Sequence, residues 1–342
     1  MTRLLLLALV LSGCFHSGAK TVVRDRFDYS TAIGDSLKDQ TLLNIVKLRY
    51  LDVPVFVEVA QIINGYEFQG GASLGASLVR GDADQLDLGV EGSYSNRPTI
   101  TYTPLTGNQY VRGLMIPLPP EIVFFTVQSG YSADVILRTC VSSINGLRND
   151  GGDLGDADFF QVTRLFHLLQ SAGALTLLLQ VKPDREHIPV LTFGLENQPP
   201  EVLEAEREMK RLLRLSPGAS EFRLVFGRQA SEDTEIAVQS RSLIQILGAL
   251  AIHVEVPPSH QALALAAPGT GDAPGGPGLF RVNSSPGRPE NAYAAVRYRD
   301  HWYWIDDRDL DSKRVLALTV LLFSLGDSKA EENLPVLMVP VN

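Results

Sequence analysis

Between Tyr66 and Ser95 the chain alternates with period two on both sides of a polar turn. Phe68, Gly70, Ala72, Leu74, Ala76 and Leu78 alternate with Gln69, Gly71, Ser73, Gly75 and Ser77. After Arg80 to Gln85 the pattern resumes, with Leu86, Leu88, Val90, Gly92 and Tyr94 set against Asp87, Gly89, Glu91, Ser93 and Ser95. Period two is the spacing of a strand, whose side chains point to opposite faces in turn. It predicts a long antiparallel β-hairpin over about 66–96. Pairing Leu78 with Leu86 places Leu74 opposite Val90, Ala72 opposite Gly92 and Gly70 opposite Tyr94. One face is then apolar, and the other carries Ser, Gly, Asp87 and Glu91.

Two readings of this hairpin stay open at the level of sequence. An apolar face can pack on the protein's own helices, as in any half-buried antiparallel sheet. It can also face lipid, since a membrane-spanning strand needs roughly 9–11 residues of this pattern. Tyr66, Phe68 and Tyr94 all lie at the end away from the turn, where one aromatic girdle would sit. Two strands cannot close a barrel, and open edges are excluded from lipid. The second reading therefore requires an oligomer of roughly four or more copies, enough for the smallest barrel of about eight strands. On that reading Leu74, Leu78, Leu86, Leu88, Val90 and Tyr94 are candidate partner-contacting residues.

The N-terminus reads as an address. Met-Thr-Arg is followed by an apolar run from Leu4 to Leu11 and then by Leu11-Ser12-Gly13-Cys14. A cationic start, a short apolar run and small residues make a secretory signal, and the run is too short for a spanning helix of roughly 20 residues. The last four residues resemble the lipobox of bacterial lipoproteins. That resemblance implies cleavage before Cys14, lipidation of Cys14 with palmitate-type acyl chains, and a final place at the outer membrane, because Phe15 rather than Asp follows. Two or more acyl chains anchor durably. Residues 1–13 are then a signal peptide and 14–34 a lipidated tether. Cys140, the other cysteine, is expected as a small core residue.

Beyond the tether, an N-terminal module (35–150) carrying the hairpin and a C-terminal module (151–342) with a Pro/Gly-rich excursion at 257–278 are expected. Ser36–Tyr50, Glu121–Gln128 and about Ser132–Asn145 read as helices, the last with Gly146 as its stop. Further helices are expected over about 157–171, 200–215, 241–251 and 312–325. Strands are expected over 174–181, 189–195, 222–227 and 235–239, with a hairpin at 294–305 turning near Asp300 and a final edge strand at 335–341. Strands and helices interleave without a βαβ rhythm, so the fold class is α+β: antiparallel sheets, packed helices and one long β-hairpin. Acidic residues outnumber basic ones, 39 to 30, with no long cationic run. That argues against nucleic acid as a partner.

No catalytic, cofactor-binding or metal-binding residue is assigned. Gly71-Ala72-Ser73-Leu74-Gly75 has the letters of a nucleophile elbow but lies within strand alternation, with no helix after it. Ser132 reads as a helix cap. The six histidines show no metal-ligand spacing, and no phosphate-binding loop or dinucleotide fingerprint is present. The acids at 150, 153, 156 and 158, and those from Asp306 to Asp311, read as caps and solvated turns. Trp302 and Trp304, the only tryptophans, share one strand face and are candidate partner-binding residues.

Ala294–Leu325, with His301-Trp302-Tyr303-Trp304-Ile305-Asp306-Asp307-Arg308-Asp309, resembles the C-terminal part of uncharacterised proteobacterial envelope lipoproteins. Leu42–Tyr50 is similar to their N-terminal part. The resemblance implies no activity and no cofactor. The expectation is a non-enzymatic, lipid-anchored outer-membrane protein with a structural, assembly or channel role, facing the periplasm and forming a homo-oligomer or an envelope complex. The alternative is a periplasmic lipoprotein that acts as a hydrolase or binds a ligand.

Overall fold

The computed structural model describes residues 18–63, 66–77, 85–96, 99–149, 155–181, 187–194, 198–266 and 278–327. Cys14, Leu78 and residues 335–341 lie outside them. The class is α+β, with several antiparallel or mixed open sheets. The chain forms two compact units: residues 55–105, and the remainder on both sides of them.

In the larger unit, helix α1 (Gly18–Arg49) begins within the segment expected as a tether. From Arg26 to Leu37 its residues are mostly exposed, whereas Leu42, Asn44, Ile45 and Val46 are buried. The helix ends in a Schellman motif. Leu51 takes the left-handed conformation (φ 56°). Its N–H donates to the Leu48 carbonyl at 3.0 Å, and the Asp52 N–H donates to the Lys47 carbonyl at 2.8 Å. This turn fixes where Tyr50 and Asp52 stand.

Helix α2 (Asn108–Met115) follows the smaller unit in the chain. Helix α3 (Pro120–Gln128) starts on Pro119-Pro120, because a proline at the first turn lacks only an N–H that would be unpaired there anyway. Helix α4 (Ala133–Cys140) is shorter than expected. Residues 141–144 are strand β1 (Val141–Ile144), and Asn145 (φ 44°) and Gly146 (φ 87°) turn the chain into β2 (Leu147–Arg148). Asn-Gly with both φ positive matches the twist of a two-residue hairpin, so Gly146 is a hairpin residue and not a helix stop. Helix α5 (Ala157–Ser171), strands β3 (Leu175–Val181) and β4 (His187–Phe193), helix α6 (Pro200–Leu213) and strands β5 (Glu221–Phe226) and β6 (Glu235–Ser240) follow.

These strands make one six-stranded sheet in the order β2-β1-β6-β5-β4-β3, antiparallel except for β6 with β5. It joins strands from both sides of residue 150. Helix α3 packs on β3, β5 and β6, and α5 packs between α4 and α6. A run of rings, Phe124 to Phe166 to Phe193 to Phe222, with centroids 5.3–6.2 Å apart, forms the core here.

Helix α7 (Leu243–Ala251) opens with a capping box. The Gln245 N–H donates to Ser242 Oγ, and the Ser242 N–H donates to Gln245 Oε1. It touches α1, α2 and α4. The short helix α8 (Pro258–Ala262) falls in the Pro/Gly-rich excursion. A three-stranded sheet, β7 (Asn283–Ser285), β9 (His301–Asp306) and β8 (Ala292–Tyr298) in that spatial order, packs against α1 through β8. Helix α9 (Leu310–Asp327) closes the unit. Asp309 caps it, accepting from the Ser312 N–H at 3.0 Å and from the Ser312 hydroxyl at 2.6 Å. Among the described residues no helix is long and apolar enough to cross a membrane.

Candidate functional site

The smaller unit is a ribbon. Strand β10 (Val57–Ile63) pairs with β13 (Thr99–Pro104), and β11 (Tyr66–Ser77) pairs with β12 (Gln85–Asn96), both antiparallel. The two ladders share one register. Ile63 with Thr99 leads to Tyr66 with Asn96, three residues further along each strand. The expected hairpin is therefore present as the distal part of a longer ribbon. Its register differs from the expected one by two residues: Leu74 faces Leu88, Ala72 faces Val90, and Phe68 faces Tyr94. A shift of two preserves which residues share a face, so alternation alone does not distinguish the two pairings.

Leu74, Leu86, Leu88, Val90 and Tyr94 thus occupy one face by register, and Glu67, Asp87 and Glu91 occupy the other. Ser73 stands mid-strand opposite Gly89, which is no place for a nucleophile elbow. At the base of the ribbon no residue of β10 or β13 is buried. Ile63, Ile100 and Tyr102 are exposed there.

The tryptophan strand lies in the larger unit. Along β9, Tyr303 and Ile305 are buried and face the core, while Trp302 and Trp304 are half-buried on the opposite face. The Arg288 guanidinium lies 5.3 Å from the Trp302 ring centre. Trp304 lines an open depression of about 470 Å³ with Ser285, Arg288, Glu290, Asn291, Asp306 and Arg308.

Behind this sheet, residues far apart in sequence form a hydrogen-bonded chain. Tyr50 Oη stands 2.5 Å from Tyr303 Oη and 2.6 Å from His260 Nδ1. The His260 and His301 rings meet edge to face at 4.8 Å. Arg299 lies over the rings of Tyr50 and Tyr298, and the Tyr298 hydroxyl donates to the Asp52 carboxylate. Arg299 (φ 46°) and Asp300 (φ 63°) form the tight turn between β8 and β9, with Tyr298 and His301 paired at its two ends. Burial pushes the Tyr303 and Tyr50 hydroxyls up, so both stay protonated. Burial, and then the charge of His301, hold His260 below its ordinary value.

That depression has a consequence for stability. The unfolded chain protonates His260 near pH 6.5, while the folded chain resists until a lower pH. Stability is full above about pH 6.5 and falls as pH drops from there towards the folded value. Carboxylates held low, such as Asp52 and Glu235, act in a separate and more acid window. The midpoint of thermal unfolding should fall between pH 7 and 5; His253, which burial also holds low, contributes to the same window, and His260→Gln should reduce the slope by the His260 share. A slope unchanged in the variant would show that His260 does not carry it.

The remaining candidates resolve into structural roles. Ser132 stands at the N-cap position of α4, but its hydroxyl makes no capping bond to the helix. Its hydroxyl lies 3.2 Å from His167 Nδ1, and the Ala133 N–H donates to Gln170 Oε1 instead. Asp156 accepts from the Arg148 N–H at 2.7 Å. Asp307 pairs with Lys313 and Asp311 with Arg314. Cys140 is 1% exposed, and burial raises its thiol to about 12. Among the described residues no group of His, Cys, Asp and Glu is placed to hold a metal ion. Compared with protein families, with curated proteins and with solved structures, the chain matches none.

Proposed function

We propose that this chain is a non-enzymatic, lipid-anchored envelope protein, held at the outer membrane through Cys14, whose copies pool their β-ribbons into a shared transmembrane barrel. The observation that carries this reading is the ribbon of residues 55–105. An isolated two-stranded ribbon is marginal in water. Here β11 and β12 pair with each other and with no third strand among the described residues, and the base buries nothing of its own. Lipid on one face and copies along both edges supply what such a ribbon lacks.

The dimensions agree. Each distal strand has twelve residues, or about 40 Å at roughly 3.4 Å per residue. Tilted by about 45°, that length covers about 28 Å of the membrane normal, close to the hydrocarbon thickness. The face bearing Glu67, Asp87 and Glu91 then lines the lumen, and neither distal strand contains a lysine or arginine. Rings of carboxylates select cations. In planar bilayers under a salt gradient, the assembled protein should conduct with a reversal potential displaced towards the cation. Absence of conductance, or selection for anions, contradicts the shared barrel.

A further inference from the structure

We infer that the depression beside Trp304 is a binding site for a small carboxylate-bearing ligand. The inference is independent of the ribbon, because every residue of this site lies in the larger unit.

Trp304 Nε1 is buried and has no hydrogen-bond partner among the described residues. A buried indole N–H ordinarily finds an acceptor, and an orphaned one calls for an explanation. This donor belongs to a side chain that lines an open depression of a size suited to a small molecule. Arg288 and Arg308 stand on the same rim. Among the described residues, Arg288 is engaged by the Trp302 ring, and neither guanidinium forms an ion pair. Two arginine side chains and the side chain that carries the orphaned indole N–H thus line one concavity, beside Glu290 and Asp306.

A carboxylate is an acceptor with two oxygens and fits a guanidinium fork and an indole N–H together. Glu290 and Asp306 on the rim offset the two arginines. That balance favours a monoanion over the doubly charged phosphate. The Trp304 ring and Pro289 supply apolar wall for the body of the ligand. The carboxylate can belong to an acidic sugar or to the end of a short peptide, and the two sources share the recognition chemistry.

Both tryptophans of the chain are on this face, so intrinsic fluorescence reports on it directly. The full chain is titrated with glucuronate, with N-acetylglycine, and with the neutral glucose and N-acetylglycinamide. The expected result is a saturable change in emission with at least one carboxylate and none with its neutral counterpart. Which carboxylate binds identifies the source. Arg288→Ala and Arg308→Ala should each weaken binding by about tenfold or more. Trp304→Phe keeps the bulk of the ring, removes the N–H, and leaves Trp302 as reporter. It should also weaken binding, and it decides the matter if an arginine variant fails to fold. No saturable change with either acid, an equal response to the neutral compounds, or undiminished affinity in Trp304→Phe overturns the proposal.

Discussion

With Leu74 and Leu88 both replaced by aspartate, the protein should stay anchored to the membrane and fail to assemble within it. The two residues are direct cross-strand partners on the face read as meeting lipid. A carboxylate at that depth costs on the order of 2 kcal/mol. Two per copy, repeated around a ring of about four or more copies, exceed the whole stability of an ordinary domain, about 5–15 kcal/mol. Ser73→Asp, one position away on the opposite face, should assemble normally. Cross-linking in native membranes reads the result. Emission from Trp302 and Trp304, which lie outside the ribbon, separates failed assembly from failed folding. A double variant that assembles with wild-type stability would remove the lipid-facing role.

The second large effect is expected at Arg241, which is 9% exposed. Its Nη1 donates to the carbonyls of Arg138 and Thr139 at 2.9 Å, and its Nη2 donates to the Asn149 carbonyl at 2.6 Å. The first two acceptors belong to the last turn of α4, where helical carbonyls have no partner in their own helix. The chain passes straight into β1 at Val141, so no further turn satisfies them. Arg241→Ala leaves the Thr139 and Asn149 carbonyls without this donor, leaves the Arg138 carbonyl only the Asn149 Nδ2 at 2.8 Å, and opens a void. The cost is about 3–5 kcal/mol, or roughly 10 °C in Tm for a unit of this size. Arg241→Lys should rescue little, because an ammonium cannot reach three separate acceptors as a planar fork does. A loss below about 1 kcal/mol in denaturant melts would contradict this account of the junction.

Much of the fold is legible in the sequence where one local rule decides it. Pro119-Pro120 and Pro199-Pro200 mark the starts of α3 and α6, and the acids before Leu310 mark the start of α9. Period-two alternation marks β11 and β12. The misreadings fall where two rules compete. Val141–Ile144 continues the apolar run of α4, and only pairing with β6 makes it a strand. The Asn145-Gly146 signal was present but stood at the end of what read as a helix. The ribbon's register escaped because a shift of two residues leaves both faces unchanged.

The site is legible only in part. Trp302 and Trp304 are visible as a face, but Arg288 joins them only through the β7–β9 pairing and the turn after it. The chain from Tyr303 through Tyr50 to His260 links residues 253 and 210 positions apart. No spacing rule brings such residues together.

The central claim is that copies of this chain complete one another. The most direct test is the mass of the full-length protein purified in mild detergent, measured by light scattering with the bound detergent subtracted. The account predicts a discrete assembly of about four or more copies, enough strands to close a barrel. A strict monomer would contradict it.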